Sequence, residues 1–122
     1  MTPEEMLAHC LAKPGAWPDN PWDHDYPVFK VGPGERGKIF AFLGGEGVGI
    51  KAAASREVAD EWLHRHPGSA TVMAYIGRSG WNDLAFDGQI PDDELLEAVD
   101  ESYRLVAEGL PRKLRPEGWD AT

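Results

Sequence analysis

The sequence predicts a single α+β domain in two layers, with a five-stranded antiparallel sheet and helices mainly on one face. Three segments, near the start, the middle and the end of the chain, space their apolar residues as amphipathic helices do. Short runs rich in β-branched and aromatic residues lie between them and are joined by glycine-rich turns. The predicted order of elements is therefore α-β-β-β-α-β-β-α. With 122 residues the chain is long enough to bury one core, so residues 1–122 are assigned to one domain.

The helices are marked by capping residues and by apolar stripes. Thr2 followed by Glu5 is typical of a capping box, and the Pro-Gly pair at 14–15 ends the first helix. Ser55 predicts the start of a second helix, which continues to about Arg65. The last helix has a longer apolar stripe, made of Leu95, Leu96, Val99, Tyr103, Val106 and Leu110.

Five strands are predicted, and the first three follow one another through short turns. Such short connections predict antiparallel neighbours. Residues 14–27 contain four prolines, so they are predicted to form an irregular loop, in which Trp17 and Trp22 cover an edge of the core. The five strands are expected at 27–31, 38–43, 48–51, 70–76 and 81–87.

The cysteine content and the length of the apolar runs indicate the cellular compartment of the protein. The single cysteine, Cys10, excludes an internal disulfide and is typical of a reducing compartment. No apolar run approaches the roughly 20 residues that span a membrane, and the first residues lack the pattern of a signal peptide. We therefore expect a cytoplasmic protein without a membrane partner.

Charge is distributed unevenly along an acidic chain of net charge −9. Residues 26–54 carry four Lys or Arg against two Glu, which is +2, whereas residues 91–108 carry one Arg against seven acids, which is −6. A protein of this net charge repels nucleic acid at long range. DNA binding would therefore require a local basic surface, and the predicted strands of residues 26–54 are where it is expected.

A family resemblance is carried by phrases spread in order over nearly the whole chain. They are residues 1–5 and 10–16, 29–31 and 39–41, 80–81 and 86–88, 90–95, and 102–103 with 110–111. In this order and spacing the chain resembles the MmcQ/YjbR family. The resemblance implies a fold similar to that of type III secretion chaperones, with the same order of helices and strands as the segments above predict.

The resemblance also implies DNA binding, because the fold of the family has been compared to a double-wing motif. Strand alternation predicts that Lys38, Phe40 and Phe42 share one face of the second strand. A sheet face without helices that carries lysines and aromatic rings could contact phosphates and stack bases. The DNA-contacting residues expected on this hypothesis are Lys30, Lys38, Lys51, Arg78 and Trp81.

Other interpretations of the same residues stay open. The lysines are typical of a solvated strand face that blocks edge pairing, and the phenylalanines and Trp81 are equally typical of a core. The alternative function is a protein-interaction or chaperone-like module that uses the open sheet face or the acidic C-terminal helix at residues 91–108. The sequence is compatible with a monomer or a homodimer.

No constellation of residues predicts catalysis, a cofactor or a metal. Residues 44–51 are glycine-rich and end in lysine, but no Ser or Thr follows and the segment enters a strand instead of a helix. His64 and His66 lack a third ligand in the pattern, so they are interpreted as surface residues. Cys10 lies on the apolar stripe of the first helix and is expected to be a buried, unreactive thiol. We therefore expect a protein that is not an enzyme.

Overall fold

A computed structural model describes residues 1–121 of the chain; Thr122, the last residue of the predicted domain, lies outside the described residues. Within them are three helices: α1 (Pro3–Leu11), α2 (Arg56–Arg65) and α3 (Asp92–Glu108). The strands found in the same residues are β1 (Ala16–Asp19), β2 (Val28–Val31), β3 (Lys38–Leu43), β4 (Gly47–Lys51), β5 (Ala70–Val72) and β6 (Trp81–Ala85). They form one antiparallel sheet in the order β1-β2-β3-β4-β6-β5.

The α+β class is confirmed, but the predicted number of five strands is wrong. The extra strand is β1, which lies inside the segment predicted as an irregular loop. It pairs with β2 through partners such as Trp17 and Lys30. Pro18 is tolerated because β1 lies at the edge of the sheet, where one row of backbone N–H groups has no strand partner. A proline in this segment is therefore compatible with an edge strand and did not require the whole segment to be a loop.

The predicted strand over residues 70–76 is shorter than expected. β5 ends at Val72, and residues 73–80 form a turn that leads into β6. The backbone of Tyr75 has a positive φ of 66°, which no strand residue adopts. The last predicted strand also ends early, at Ala85.

Local capping signals in the sequence are confirmed. The Thr2 hydroxyl accepts a hydrogen bond from the Glu5 amide at 3.1 Å, and the Thr2 amide donates to the Glu5 carboxylate at 3.0 Å. The Ser55 hydroxyl accepts from the amide of Val58 at 3.3 Å. Each cap satisfies helix N–H groups that have no partner inside the helix, and a cap of this kind contributes about 1 kcal/mol.

The helices pack on one face of the sheet, and the core lies between the two layers. Phe40 and Tyr103 meet edge to face with ring centroids 5.3 Å apart, and Phe29 lies 6.4 Å from Phe40. From α1, Met6 and Cys10 join the same cluster and are fully buried. Towards the other end of the sheet, the side-chain amide of Asn82 donates to the Ala59 carbonyl of α2 at 2.9 Å.

A β-bulge in β3 changes which side chains share a face. Phe29 pairs with Ala41 and Lys30 with Ile39, so Phe40 is an extra residue with no partner on β2. A bulge shifts the alternation of side chains by one residue. The prediction that Lys38, Phe40 and Phe42 share a face is therefore wrong: Phe40 is buried under α3, whereas Phe42 lies on the opposite face.

Candidate functional site on the open sheet face

The sheet face opposite the helices, which we call the open face, is the first candidate for a site. Residues that pair across antiparallel strands lie on the same face. Phe42 pairs with Val28 on one side and with Gly49 on the other, and Gly49 pairs in turn with Asp83. Among residues 1–121 no helix packs over these positions. By the same register the open face also includes Trp17, Lys30, Ile39, Lys51, Thr71 and Trp81.

Three aromatic side chains form a cluster at the centre of the open face. Trp22 and Phe42 are stacked, with ring centroids 6.4 Å apart and planes 16° apart. Phe42 meets Trp81 edge to face at 5.5 Å. Trp22 is 53% exposed, and the other two rings are half-buried. We call Trp22, Phe42 and Trp81 the aromatic cluster.

The loop that carries Trp22 is held in place by its own hydrogen bonds. The side-chain amide of Asn20 donates to the His24 carbonyl at 2.7 Å, and the His24 amide donates back to Asn20 at 2.9 Å. The His24 ring also lies 6.0 Å from the Trp22 ring. The exposed indole is therefore presented by an ordered turn, and its partial exposure is a property of the folded chain.

A shallow groove of about 440 Å³ runs beside the aromatic cluster, between Phe42 and Thr71. Its floor contains Gly47 and Gly49, so the central strand has no side chain there. A Cβ on Gly47 would lie 2.4 Å from the Leu84 carbonyl oxygen, so that position requires glycine, whereas a Cβ on Gly49 would lie 2.9 Å from the sulfur of the flexible Met73 side chain. The sequence analysis considered these glycines only as a phosphate-binding loop; in the fold Gly47 and Gly49 belong to β4 and line the groove with backbone.

Charges on the open face are mixed. The Lys30 ammonium lies 2.8 Å from the Asp19 carboxylate and 5.2 Å from the centre of the Trp17 ring. The hydrogen bond from Lys30 lowers the pKa of Asp19. Asp83 lines the groove, and partial burial of its carboxyl raises the pKa of that group. Asp23 follows Trp22 and Asp25 follows His24 in the sequence, and they add two more exposed acids.

The five residues predicted to contact DNA do not gather on one surface. Lys30, Lys51 and Trp81 lie on the open face, with Lys51 directly opposite Trp81. Lys38 is exposed at the start of β3, but its pairing with Val31 places it on the helix side of the sheet. Arg78 is exposed in the short 3-10 helix Gly77–Ser79, which lies between β5 and β6.

Sequence reasoning missed two contributors to the open face. Trp22 was expected to cover an edge of the core, and Met73 was assigned to a strand without a role. A tryptophan placed between proline and aspartate in a polar loop is the signal that could have identified Trp22 as an exposed ring. The sequence could not place Met73. Its side chain lies over Gly49 because β5 ends at Val72 and Met73 begins the following turn.

A second cleft, of about 390 Å³, lies between α2 and α3. Both of its arginines pair with an acid of the cleft, Arg65 with Glu94 and Arg104 with Glu101. The Arg65 guanidinium lies 4.7 Å from the Trp62 ring centre and 3.3 Å from the Glu94 carboxylate, and His66 is also 3.3 Å from Glu94. His64 is exposed, so the two histidines of the pair do not converge. In the part of the chain that the structure describes, no group of three or more His, Cys, Asp or Glu could hold a metal ion.

The other titratable groups with shifted pKa values stabilise the fold. Burial raises the pKa of the Cys10 thiol to about 12, so the thiol is protonated and unreactive. Burial also raises the pKa of Tyr103 to about 12, and its hydroxyl donates to the Pro14 carbonyl at 2.5 Å. Although burial alone would raise the pKa of Asp100, hydrogen bonds from Lys13 and His9 hold it below its ordinary value. These contacts join α1 and the following turn to α3.

Comparison with known proteins places the chain among similar sequences and structures. The YjbR family model matches residues 11–105, which confirms the resemblance predicted from the sequence. The uncharacterized protein YjbR of Escherichia coli K12 is 28% identical over 118 residues, covering 94% of this chain and 95% of its own length. A crystal structure of Deinococcus radiodurans protein DR2400, a DUF419 domain, has a TM-score of 0.81 at 24% identity and covers 93% of this chain and 85% of that one. A Pseudomonas syringae protein has a TM-score of 0.67 at 16% identity, covering 87% and 99%.

The structural likenesses show the fold alone. Their identities of 24% and 16% are too low to transfer a site to this chain. Across residues 1–121, none of the helices is long and apolar enough to cross a membrane.

Proposed function

The chain belongs to the YjbR family, and we propose that it is a non-catalytic protein-interaction module that binds a segment of a partner protein on the open face. The observation that carries this proposal is the aromatic cluster, in which Trp22 is 53% exposed on a sheet face without helices. Aromatic residues exposed together are typical of protein interfaces, where they form the anchors that contribute most to binding.

The charges around the aromatic cluster favour a protein over a nucleic acid. Lys30 is paired with Asp19, so one predicted phosphate contact is already neutralised. Asp23, Asp25 and Asp83 are exposed acids of the open face or of the loop beside it, and the whole chain carries −9. A polyanion would meet repulsion here, whereas a segment with Lys or Arg beside an apolar residue would find complementary charge.

The groove beside the aromatic cluster provides a place for a side chain of the partner. Its volume of about 440 Å³ lies within the roughly 300–1,000 Å³ of ligand-binding pockets. Gly47 and Gly49 leave backbone on the floor, and Phe42 forms one wall. We infer a partner segment with one apolar or aromatic side chain in the groove, a second against Trp22, and cations towards the acids.

Single-stranded DNA is the second candidate, and one specific observation favours it. Lys51 lies opposite Trp81 on the open face, and among the described residues its ammonium group is in no ion pair. A base that stacks on an aromatic ring contributes roughly 1–3 kcal/mol, and Lys51 could hold the neighbouring phosphate. The acids named above weigh against this candidate, so it ranks below the protein partner.

The proposal is tested by selecting peptides from a random displayed library on the folded chain. Selected peptides are then synthesised, and their binding is measured by fluorescence anisotropy against the wild type and Trp22→Ala. We expect peptides that combine aromatic residues with Lys or Arg and lose at least tenfold in affinity for Trp22→Ala. Val58→Ser, which changes a residue of α2 that is also 53% exposed, is the matched control and should bind normally.

Two outcomes would overturn the proposal. Peptides that bind Trp22→Ala as well as the wild type would place the interaction on another surface. A labelled single-stranded oligonucleotide that binds the chain, weakens steeply with salt and fails to bind Lys51→Glu would instead establish the DNA candidate.

A further inference from the structure

A further groove, of about 410 Å³, lies where residues 110–117, which follow α3, pack beside the connection between β2 and β3. Its side chains come from Trp17, Pro33, Leu114 and Pro116, and no charged residue lines it. We call it the apolar groove. Its volume lies within the roughly 300–1,000 Å³ of ligand-binding pockets, so it has room for an apolar side chain of a partner.

Three glycines leave part of the apolar groove lined by backbone alone. Gly15, Gly32 and Gly34 have φ values of 66°, 97° and 50°, a region that favours glycine. A Cβ on Gly15 would lie 2.6 Å from the Pro116 ring, so these two residues pack closely. The Trp17 indole N–H donates to the Gly32 carbonyl at 2.8 Å and fixes the ring. The groove is therefore formed in the folded chain before any partner binds.

The segment that carries Leu114 is held against the end of α3. The Arg115 guanidinium donates to the Glu108 carbonyl at 2.7 Å and to the Leu110 carbonyl at 3.0 Å. The Leu114 amide donates to the Pro111 carbonyl at 2.8 Å, which closes a short 3-10 helix. Arg115 is therefore engaged by the fold, whereas Leu114 is presented to the groove.

Exposed cations lie beside the apolar groove in both segments that form it. Arg36 follows Gly34 in the short 3-10 helix Gly34–Arg36. Arg112 and Lys113 directly precede Leu114. All three cations are exposed, and within residues 1–121 none of them is in an ion pair. Their charges are therefore available to a partner.

The surroundings of the apolar groove are basic, although the chain is acidic. Residues 32–38 and 110–117 together carry five Lys or Arg against Glu35 and Glu117, which is +3, whereas the whole chain carries −9. A local field of this sign attracts carboxylates and repels cations. This is the opposite of the open face, where Asp23, Asp25 and Asp83 favour a partner with Lys or Arg.

We propose that the apolar groove is a second interaction site, which binds an acidic segment of a partner protein. One apolar side chain of the segment lies in the groove, against Trp17 and Leu114, and carboxylates beside it face Arg36, Arg112 and Lys113. The site goes beyond the proposed function, because it uses another surface and selects a partner of opposite charge.

A nucleic acid fits the apolar groove less well than an acidic segment of protein. The indole N–H of Trp17 is already bonded to the Gly32 carbonyl, and no other side chain of the groove has a polar group that could read a base. A nucleic acid would also bring a long run of phosphates to a chain of net charge −9. A short acidic segment brings only the few charges that meet the local cations.

The experiment selects peptides from a random displayed library on Trp22→Ala, so that binding to the aromatic cluster is weakened. Selected peptides are synthesised with a fluorescent label, and their affinity is measured by anisotropy. We expect several Asp or Glu beside one Leu, Met or aromatic residue, and a loss of at least tenfold when that residue is replaced by alanine. Arg112→Glu should lose at least fivefold. Arg78→Glu makes the same change at an exposed site between β5 and β6 and should bind normally.

A nitrogen–proton correlation spectrum of the wild type shows where the peptides bind. The indole N–H signal of Trp17 should move on titration with a selected peptide, because the ring lines the apolar groove. The indole signals of Trp22 and Trp81 should stay in place, because both rings belong to the aromatic cluster. Circular dichroism confirms that each variant is folded, and Arg78 and Arg112 are both exposed, so neither substitution removes a core contact.

The inference is overturned if no peptide is selected, if the peptides have no excess of acids, or if they bind Arg112→Glu as tightly as Arg78→Glu. A dimer in sedimentation equilibrium that Arg112→Glu dissociates would make a second copy the occupant. An oligonucleotide that displaces the peptides and binds Arg112→Glu weakly would make it a nucleic acid. Basic peptides that depend on Trp22 support the proposed function alone, so each proposal can fail while the other stands.

Discussion

Replacing Ser102 by alanine tests how the sheet is opened beneath α3. The Ser102 side chain is fully buried; its hydroxyl donates to the Phe40 carbonyl at 2.7 Å and accepts from the Lys51 amide at 2.9 Å. The pairing of β3 with β4 ends at Ala41 and Ile50, so Phe40 and Lys51 would be the next partners in the same register. The Ser102 hydroxyl therefore lies between β3 and β4 at the position where their next backbone hydrogen bond would otherwise form.

The magnitude follows from the two backbone groups that the hydroxyl satisfies. A hydrogen bond contributes about 1 kcal/mol net, and a buried group left without a partner costs roughly 1–3 kcal/mol. Losing both partners at once should lower the free energy of unfolding of Ser102→Ala by about 2–4 kcal/mol. Alanine lacks only the oxygen, so no large cavity adds to this loss.

Urea denaturation followed by far-UV circular dichroism measures the effect. The midpoint should fall with little change in the slope, because the surface exposed on unfolding is nearly the same. Ser79→Ala, in the exposed turn before β6, is the control and should stay within about 0.5 kcal/mol of the wild type. If Ser102→Ala is as stable as this control, the strands close on each other, the Lys51 amide bonds directly to the Phe40 carbonyl, and the reasoning is refuted.

Three further predictions concern the groove, the α1–α3 contact and the buried thiol. Gly47→Ala places a Cβ 2.4 Å from the Leu84 carbonyl oxygen and should destabilise the chain by about 1–3 kcal/mol in the same urea assay; unchanged stability would mean that β6 moves away from β4 at this point without cost. The pKa of Asp100 is lowered in the folded state, so the ionised carboxylate stabilises the chain at pH values above its ordinary pKa of about 3.9. This contribution is lost as the pH falls from that value towards the lower pKa of the folded state. The stability difference between the wild type and Asp100→Asn should therefore shrink on acidification, and a pH-independent difference would contradict the assignment. Burial raises the pKa of Cys10 to about 12, so iodoacetamide should modify it only in urea, as mass spectrometry would show; rapid modification of the native chain would contradict its burial.

Features that depend on neighbouring residues could be predicted from the sequence, and features that depend on strand register could not. The Thr2 and Ser55 caps act over three residues, and both hydrogen bonds are present. The antiparallel order of β2, β3 and β4 follows from short turns. The position of the Phe40 bulge depends on how β2 pairs with β3, and no local pattern encodes that register.

The candidate site illustrates the same limit. Lys30, Lys51 and Trp81 were correctly assigned to strands, but whether a lysine is free depends on a partner distant in sequence, as the contact between Lys30 and Asp19 shows. The edge strand that supplies Asp19 was not predicted, because the prolines of its segment, Pro18 among them, were interpreted as a loop. At Tyr75 the residue type favours a strand, and the tight turn there is imposed by the Arg56 contacts at its base. Tertiary structure overrides local preference at both places.

The bulge in β3 gives the chain its core and its candidate site together. Without the extra residue, regular alternation would place Phe40 and Phe42 on the same face. The sheet would then lose either the contact between Phe40 and Tyr103 in the core or the stacking of Phe42 on Trp22 on the open face. One inserted residue lets each ring face its own layer. Because the Ser102 hydroxyl bonds to the carbonyl of that inserted residue, the helix layer fixes the backbone from which the aromatic cluster is built, and a change at Ser102 should reach the open face.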